Sequence, residues 1–261
     1  MAPMSSLDDE ALRRSDGVLR CIVVGIPARD ERDHVGASVA AALAAVGSAG
    51  PSLDSVVVVA CDSCGDGTPE LLDRIRSAEP TLRVLRGHWE SAGGTRRAAI
   101  AAGLREASAL GHPADEIWIA TTDADTVVPR DWLTRHLHHA ALGADAVAGI
   151  VELLDDDDRT PQVAEAFEGI YSVGDGLTHT HVHGANLGVR ASAYLAAGGF
   201  PEVAVSEDHD LWNALRRRAF QCVSPRDVRV ATSARLRSRA PGGFADTLAG
   251  AFVDCHTIAH L

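Results

Sequence analysis

Asp123 and Asp125 stand one residue apart directly after Ile117-Trp118-Ile119-Ala120-Thr121-Thr122. A short run of apolar, β-branched and aromatic residues reads as a buried strand, so the pair falls at that strand's carboxyl end, where open α/β sheets bind ligands. Two carboxylates this close repel each other, and a hard divalent cation relieves the repulsion; Mg²⁺ takes one or two carboxylates together with phosphate oxygens. The chemistry that suits this spacing is a metal-bridged nucleotide diphosphate site. Asp-x-Asp also has a plainer reading, as a turn that caps the helix after Pro129, so the neighbouring segments have to agree.

A second acidic pair, Glu207-Asp208, follows Ser206, which is suited to cap a helix. Leu211, Trp212 and Leu215 recur behind Asp208 at helical spacing, which puts Asp208 on the inward face. A carboxylate in the first turn is stabilised by the helix dipole, and facing a cleft it could serve as a general base. Ordinary N-terminal acid preference explains the same two residues without chemistry. Between the two pairs in function, Ser91-Ala92-Gly93-Gly94-Thr95-Arg96-Arg97 opens a helix with glycines and arginines, a combination that favours anions such as phosphate. Neither a P-loop nor a Gly-x-Gly-x-x-Gly turn after the first strand is present.

These groups need elements to position them. Val18 to Ile26 reads as a first central strand, halted at Pro27-Ala28-Arg29-Asp30-Glu31, and Asp33 is placed to cap a helix from about His34 to Val46. Ser55 to Ala60 reads as a second strand; Asp62 sits at its end, as ligand or as turn acid, and Thr68-Pro69 reads as a helix cap and first position. Leu82 to Leu85 reads as a strand, the helix after Ser91 runs to about Leu110, and Pro129 starts another to about Ala141 whose His136, His138 and His139 read as mostly solvent-facing. Asp145 to Leu154 reads as one strand, Pro161 to Val173 as a helix, Leu187 to Arg190 as a strand, Ala191 to Ala197 as a helix and Val228 to Ala231 as a strand. His179, His181 and His183 alternate, so on an extended strand they share a face that could line an acceptor cleft, ligate metal or be simply a polar strand face. Asp155 to Asp158 reads as a solvated loop, and a last helix is expected beyond Phe244.

The basic segment Arg235, Arg237, Arg239, Pro241, Gly242, Gly243 could close over a diphosphate or form an ordinary loop, and His256 is a late candidate metal ligand. Cys61-x-x-Cys64 lacks the further ligands of a zinc site and the helix start of a redox motif. The whole chain, 261 residues with 46% hydrophobic content and a formal charge of −12, suits one large α/β domain and opposes non-specific nucleic-acid binding. No apolar run approaches the roughly 20 residues of a membrane span, residues 1–16 read as a disordered lead-in without a signal core, and the five cysteines read as reduced thiols, so a cytoplasmic protein is expected.

Taken in order, Pro27-Ala28-Arg29-Asp30-Glu31, Asp62 with Gly65-Asp66-Gly67-Thr68, Gly94 to Arg97, Asp123-Ala124-Asp125, Gly184-Ala185-Asn186 and Glu207-Asp208 resemble the motifs of the family 2 glycosyltransferases, which have the GT-A fold. The resemblance spans about Val18 to Arg218. It implies an α/β domain over 17–261, a Rossmann-like mixed sheet flanked by helices, with a donor half to about 126 and an acceptor half from 127. It further implies transfer of a sugar from a nucleoside diphosphate donor, UDP- or GDP-linked, to a hydroxyl on a small-molecule or carrier-linked acceptor, with Mn²⁺ or Mg²⁺ and usually with inversion. On that footing Pro27, Ala28, Arg29, Glu31 and Asp62 would hold base and ribose, and Arg96 or Arg97 would approach the diphosphate. Asp123 and Asp125 would bind ribose and metal, with His256 as a further metal candidate; Asp208, beside Glu207, would deprotonate the acceptor. The Gln-x-x-Arg-Trp signature of processive synthases is missing after Asp208, which points to a single transfer. A nucleotidyltransferase, which would release pyrophosphate, and a non-catalytic nucleotide- or sugar-binding protein, which would not need Asp208, are the alternatives.

Overall fold

Cys21–Ala28 (β1) and Asp54–Asp62 (β2) are almost unbroken apolar runs, and strands of that kind need cover on both faces. In the computed structural model, which describes residues 18–155, 159–170, 176–203, 205–235 and 249, both lie inside a mixed sheet with helices on either side. Around them come Val35–Ala49 (α1), Thr68–Arg76 (α2), Leu82–Gly87 (β3), Ala92–Ala109 (α3), Ile117–Thr121 (β4), Thr126–Val127 (β5), Trp132–Ala141 (α4), Ala146–Ala148 (β6) and Ile150–Leu153 (β7). Pro161–Ile170 (α5), Leu187–Arg190 (β8), Ala191–Ala196 (α6), Glu207–Arg217 (α7), Cys222–Val223 (β9) and Arg229–Thr232 (β10) complete the elements. The lead-in over 1–16, Asp156 to Asp158, all but residue 249 of the helix expected beyond Phe244, and His256 lie outside the described residues.

The large sheet has seven strands in the order β3-β2-β1-β4-β8-β6-β9, with β8 antiparallel to β4 and β6 and the other pairings parallel. A second sheet of three strands, β5-β10-β7, lies beside the loop after β4. Alternation along β1 sends Ile22, Val24 and Ile26 into a core with α1, α2 and α4, and Cys21 and Val23 into one with α3, α6 and α7. Helix α3 is rich in alanine and glycine because it lies almost on the sheet: a Cβ on Gly103 would come within 2.3 Å of Val23 Cγ1.

Several local expectations are corrected. Pro27 does not halt β1; it pairs in register with Ala60 of β2, past the last pairing of β1 with β4, so its missing N–H costs no ladder bond there. The strand expected over Asp145 to Leu154 breaks at Gly149 and feeds two different sheets, β6 in one and β7 in the other. The break is forced by Asn186, which is fully buried: its Nδ2 donates to Ile150 O at 2.8 Å and Val228 O at 3.1 Å, its Oδ1 accepts from Trp132 Nε1 at 2.9 Å, and a Cβ on Gly149 would meet Nδ2 at 2.2 Å. His136 is not solvent-facing but fully buried between Trp118 and Trp132, and burial drives its imidazole down to about 3. His138 is exposed, and His139 pairs with Asp227 at 2.9 Å. Asp33 does not cap α1, whose N-cap position is His34 without a side-chain bond, and the N-cap position of α2 is Gly67, not Thr68.

Candidate functional site

Because β1, β2 and β4 are parallel and adjacent, their carboxyl ends come out side by side and the loops after them share one edge of the sheet. The first two loops are laced together. Asp30 Oδ1 accepts from Gly65 N at 2.7 Å, Arg32 N donates to Asp66 Oδ2 at 3.0 Å, and Glu31 N donates to Thr68 Oγ1 at 2.8 Å. Burial works to raise Asp66, but hydrogen bonds from Thr68 and Arg32 outweigh it and hold the carboxyl below its ordinary value. Pro27 and Ala28 are part of β1 itself, and Arg29 projects to the surface. Asp62 is only 2% exposed; its Oδ1 accepts from Trp89 N at 2.8 Å and Ser63 Oγ at 3.1 Å, so it ties this edge to the segment after β3.

Arg96 is the hub of the site. It sits at the start of the second turn of α3, which Ser91 caps by accepting from Gly94 N at 3.0 Å, and it is only 3% exposed. Its Nη2 donates to Asp123 Oδ1 at 2.7 Å, its Nη1 donates to Glu207 Oε1, and its guanidinium lies 5.4 Å from the Phe200 ring. A Cβ on Gly184 would fall 2.5 Å from Arg96 Cζ, so the glycine leaves room for the flat group. Burial opposes the charge on Arg96, but Asp123, Glu207 and Asp208 around it outweigh that and keep it protonated well above its ordinary range. The helix start expected to be open to phosphate is covered instead: a Cβ on Gly93 would meet Pro201 O at 2.6 Å and Glu207 Cβ at 2.9 Å. Arg97 is exposed and donates to Phe200 O at 3.1 Å.

The second acid of the pair faces a different arginine. Ser233 N donates to Asp125 O at 3.1 Å, which carries the chain after β10 across Asp125, and Arg235 Nη2 then lies 2.9 Å from Asp125 Oδ2. The same guanidinium grips Glu31 with both arms, Nη1 to Oε2 at 2.7 Å and Nη2 to Oε1 at 2.5 Å. Burial pushes the Asp125 carboxyl up to about 6, with Asp123 and Glu31 adding to the rise and Arg235 opposing it. Among the described residues no three His, Cys, Asp or Glu side chains converge as a metal cage.

On the far side of Arg96, Glu207 and Asp208 divide. Glu207 is the buried one, 7% exposed and bound to Arg96, whereas Asp208 is partly open; its Oδ2 accepts from Gly184 N at 2.9 Å and its Oδ1 from His209 N at 2.7 Å. Ser206 holds the N-cap position of α7 with φ 64 and makes no cap bond through its hydroxyl, so it bends the chain into the helix without capping it. His179, His181 and His183 do line up, with successive ring centroids 6.0 Å apart. Burial lowers His183 to about 4, with the charges of Asp208 and Asp123 opposing that shift. Neither the Arg96–Glu207 nor the Arg235–Glu31 pair was assigned from sequence; the only signals were an arginine next to glycines and a basic stretch after the last strand.

Residues 23–195 match the family model described as glycosyl transferase family 2. The chain belongs to that family. As a family 2 glycosyltransferase it shares its GT-A fold with solved structures at low sequence identity. The mannosyltransferase PcManGT from Pyrobaculum calidifontis, in complex with GDP-Man and Mn²⁺, aligns with a TM-score of 0.57 at 18% identity over 94% of this chain and 72% of that one. TarS residues 1–349 from S. aureus, in complex with UDP, aligns at 0.58 and 14% identity over 92% of this chain and 72% of that one. No curated protein sequence matches this glycosyltransferase. Family membership decides against the nucleotidyltransferase and the non-catalytic binding protein. No helix among the described residues is long and apolar enough to cross a membrane.

Proposed function

We propose that this family 2 glycosyltransferase moves one sugar from a UDP- or GDP-linked donor to a hydroxyl acceptor, with inversion at the anomeric carbon and without processivity. The observation that carries this reading is the Asp123–Arg96–Glu207 bridge. It joins the segment after β4 to the start of α7, and it supports reading Asp208, next to Glu207, as the base for a donor held at Asp123. The donor half, to about residue 126, would take the nucleotide along Pro27 to Glu31 and Asp62. The acceptor half would seat the hydroxyl near Asp208, and the histidine ladder offers donors and acceptors for a polar acceptor.

Two hard carboxylates, of which Asp125 is desolvated and crowded by Asp123 and Glu31, suit Mn²⁺ or Mg²⁺ completed by diphosphate oxygens and water. Held there by Asp125 and Asp123, such a cation would offset the charge that grows on the leaving diphosphate. The chain's own part is proton transfer and orientation. Asp208, steadied by the Gly184 and His209 amides, takes the proton of the acceptor hydroxyl as its oxygen forms the bond to the anomeric carbon. The bond to the diphosphate breaks on the opposite face, and the diphosphate leaves with the electron pair. Glu207 fixes Arg96, which in turn holds Asp123.

The test is a thermal-shift panel of nucleoside diphosphates with and without Mn²⁺, followed by product analysis with the donor so identified. A ligand at 100 times its dissociation constant adds about 2.7 kcal/mol, and this gain is expected with UDP or GDP plus Mn²⁺ and lost in Asp125→Ala. Asp208→Asn should keep that shift while transfer falls by about 10²–10⁴. A nucleotide shift independent of Mn²⁺, or undiminished transfer by Asp208→Asn, would refute the reading.

A further inference from the structure

Arg235 is placed where a cation on Asp125 would have to be accommodated. It comes from the segment after β10, whose course is set by Ser233 N on Asp125 O at 3.1 Å and Arg235 N on Ser233 Oγ at 3.3 Å. From there the guanidinium reaches 2.9 Å from Asp125 Oδ2 and closes a two-armed clamp on Glu31, at 2.7 and 2.5 Å. The three side chains are largely withdrawn from water, with 17%, 14% and 5% exposure for Arg235, Asp125 and Glu31. Screening between charges is weak in such a setting.

Resting on the proposed function, we propose that Arg235 competes with the divalent cation for Asp125, so that the donor-free enzyme binds metal weakly and takes it up tightly only together with a nucleoside diphosphate. The reason is charge. A cation on Asp125 stands next to the guanidinium, and like charges at that distance oppose each other strongly where solvent is excluded. A diphosphate arriving with the cation adds the negative charge that both positive groups need. Glu31 keeps Arg235 in reach during the exchange, because the two-armed contact on Glu31 does not depend on Asp125.

The experiment is Mn²⁺ titration followed by the electron paramagnetic resonance signal of the free ion, on wild type, Arg235→Met and Asp125→Asn, with and without UDP or GDP. Without nucleotide, Arg235→Met is expected to bind Mn²⁺ about tenfold tighter than wild type, the size of one charge-assisted hydrogen bond no longer competing. With nucleotide the two should converge, and Asp125→Asn should lose the site in both conditions. Uptake by wild type with nucleotide, combined with unchanged or weaker nucleotide-free binding in Arg235→Met, would overturn the role of Arg235 and leave the proposed function standing. No Mn²⁺ uptake by wild type with either nucleotide would overturn the metal-dependent reading and this proposal with it. Should Arg235→Met fail to fold, arginine-¹⁵N-labelled wild type provides the second reading. The Arg235 Nε–H signal, assigned with Arg235→Lys, is expected to move when Mg²⁺ is added to the nucleotide complex, and a signal that stays in place refutes the competition.

Discussion

Replacing Arg96 by methionine removes a guanidinium whose side chain is only 4% exposed and leaves two acids facing its place, Glu207 at 10% and Asp123 at 35% exposure. Asp123 is open enough for water to take over much of its solvation, so it adds little to the cost. Glu207 has no such relief, since Gly93 of α3 packs against its side chain and Arg96 is its partner. Removing one member of a buried pair costs about 3–5 kcal/mol, most of which is the stranded charge. At this chain length a urea slope near the upper end of roughly 1–3 kcal/mol/M turns that into a midpoint shift of about 1 M or more. The assay is urea unfolding of wild type, Arg96→Met, Glu207→Gln and the double variant. Glu207→Gln alone should cost about 1–2 kcal/mol, because the amide oxygen still accepts from Arg96. The double variant should recover part of the Arg96→Met loss, with a coupling of about 2 kcal/mol. A loss below about 1 kcal/mol for Arg96→Met, or a coupling within about 0.5 kcal/mol of zero, would refute the claim that this bridge ties the two halves of the site together.

The buried histidines make stability depend on pH in a direction that can be worked out. His136 at about 3 and His183 at about 4 both lie below the ordinary 6.5, so as pH falls below 6.5 the unfolded chain takes up protons that the native state refuses, and stability drops until the native values are reached. Asp125, raised to about 6 from 3.8, acts oppositely: its native form binds a proton first, so it favours the fold as pH falls from about 6 towards 4. His179 is lowered by burial in the same direction, so the histidines outweigh Asp125 and stability should fall with pH in that window; His136→Leu should reduce the slope by about 1.4 kcal/mol per pH unit in urea melts taken at successive pH values. Asn186→Leu should lose about 2–3 kcal/mol in the same assay, because the buried Trp132 N–H loses its acceptor and the Ile150 carbonyl loses the amide donor, while the Val228 carbonyl keeps the Ile150 N–H; a loss under about 1 kcal/mol would show that Asn186 does not hold the two sheets together.

The elements around the candidate site that are legible in the sequence are those written in short stretches. An apolar run followed by a polar turn marks a strand end to within two residues, and three such ends, after Ala28, Asp62 and Thr121 in the structure, meet simply because parallel neighbouring strands point the same way. The alternation of His179, His181 and His183 was likewise enough to put the rings on one face. Errors arose where a residue's surroundings come from distant segments. His136 looked solvent-facing on its own helix, but Trp118 from β4 covers it, and Asp145 to Leu154 looked like one strand until Asn186 claimed the space at Gly149.

What local pattern determined, then, was the order of strands and helices, the acids at the strand ends and the family resemblance they carry. Only the tertiary structure decided how those acids are neutralised. Arg96 meets Glu207 across 111 residues and Arg235 meets Glu31 across 204, and no periodicity or turn preference spans such separations. A charge buried by folding must find its partner among whatever the fold brings beside it, so the pairing of the carboxylates is a property of the packed chain.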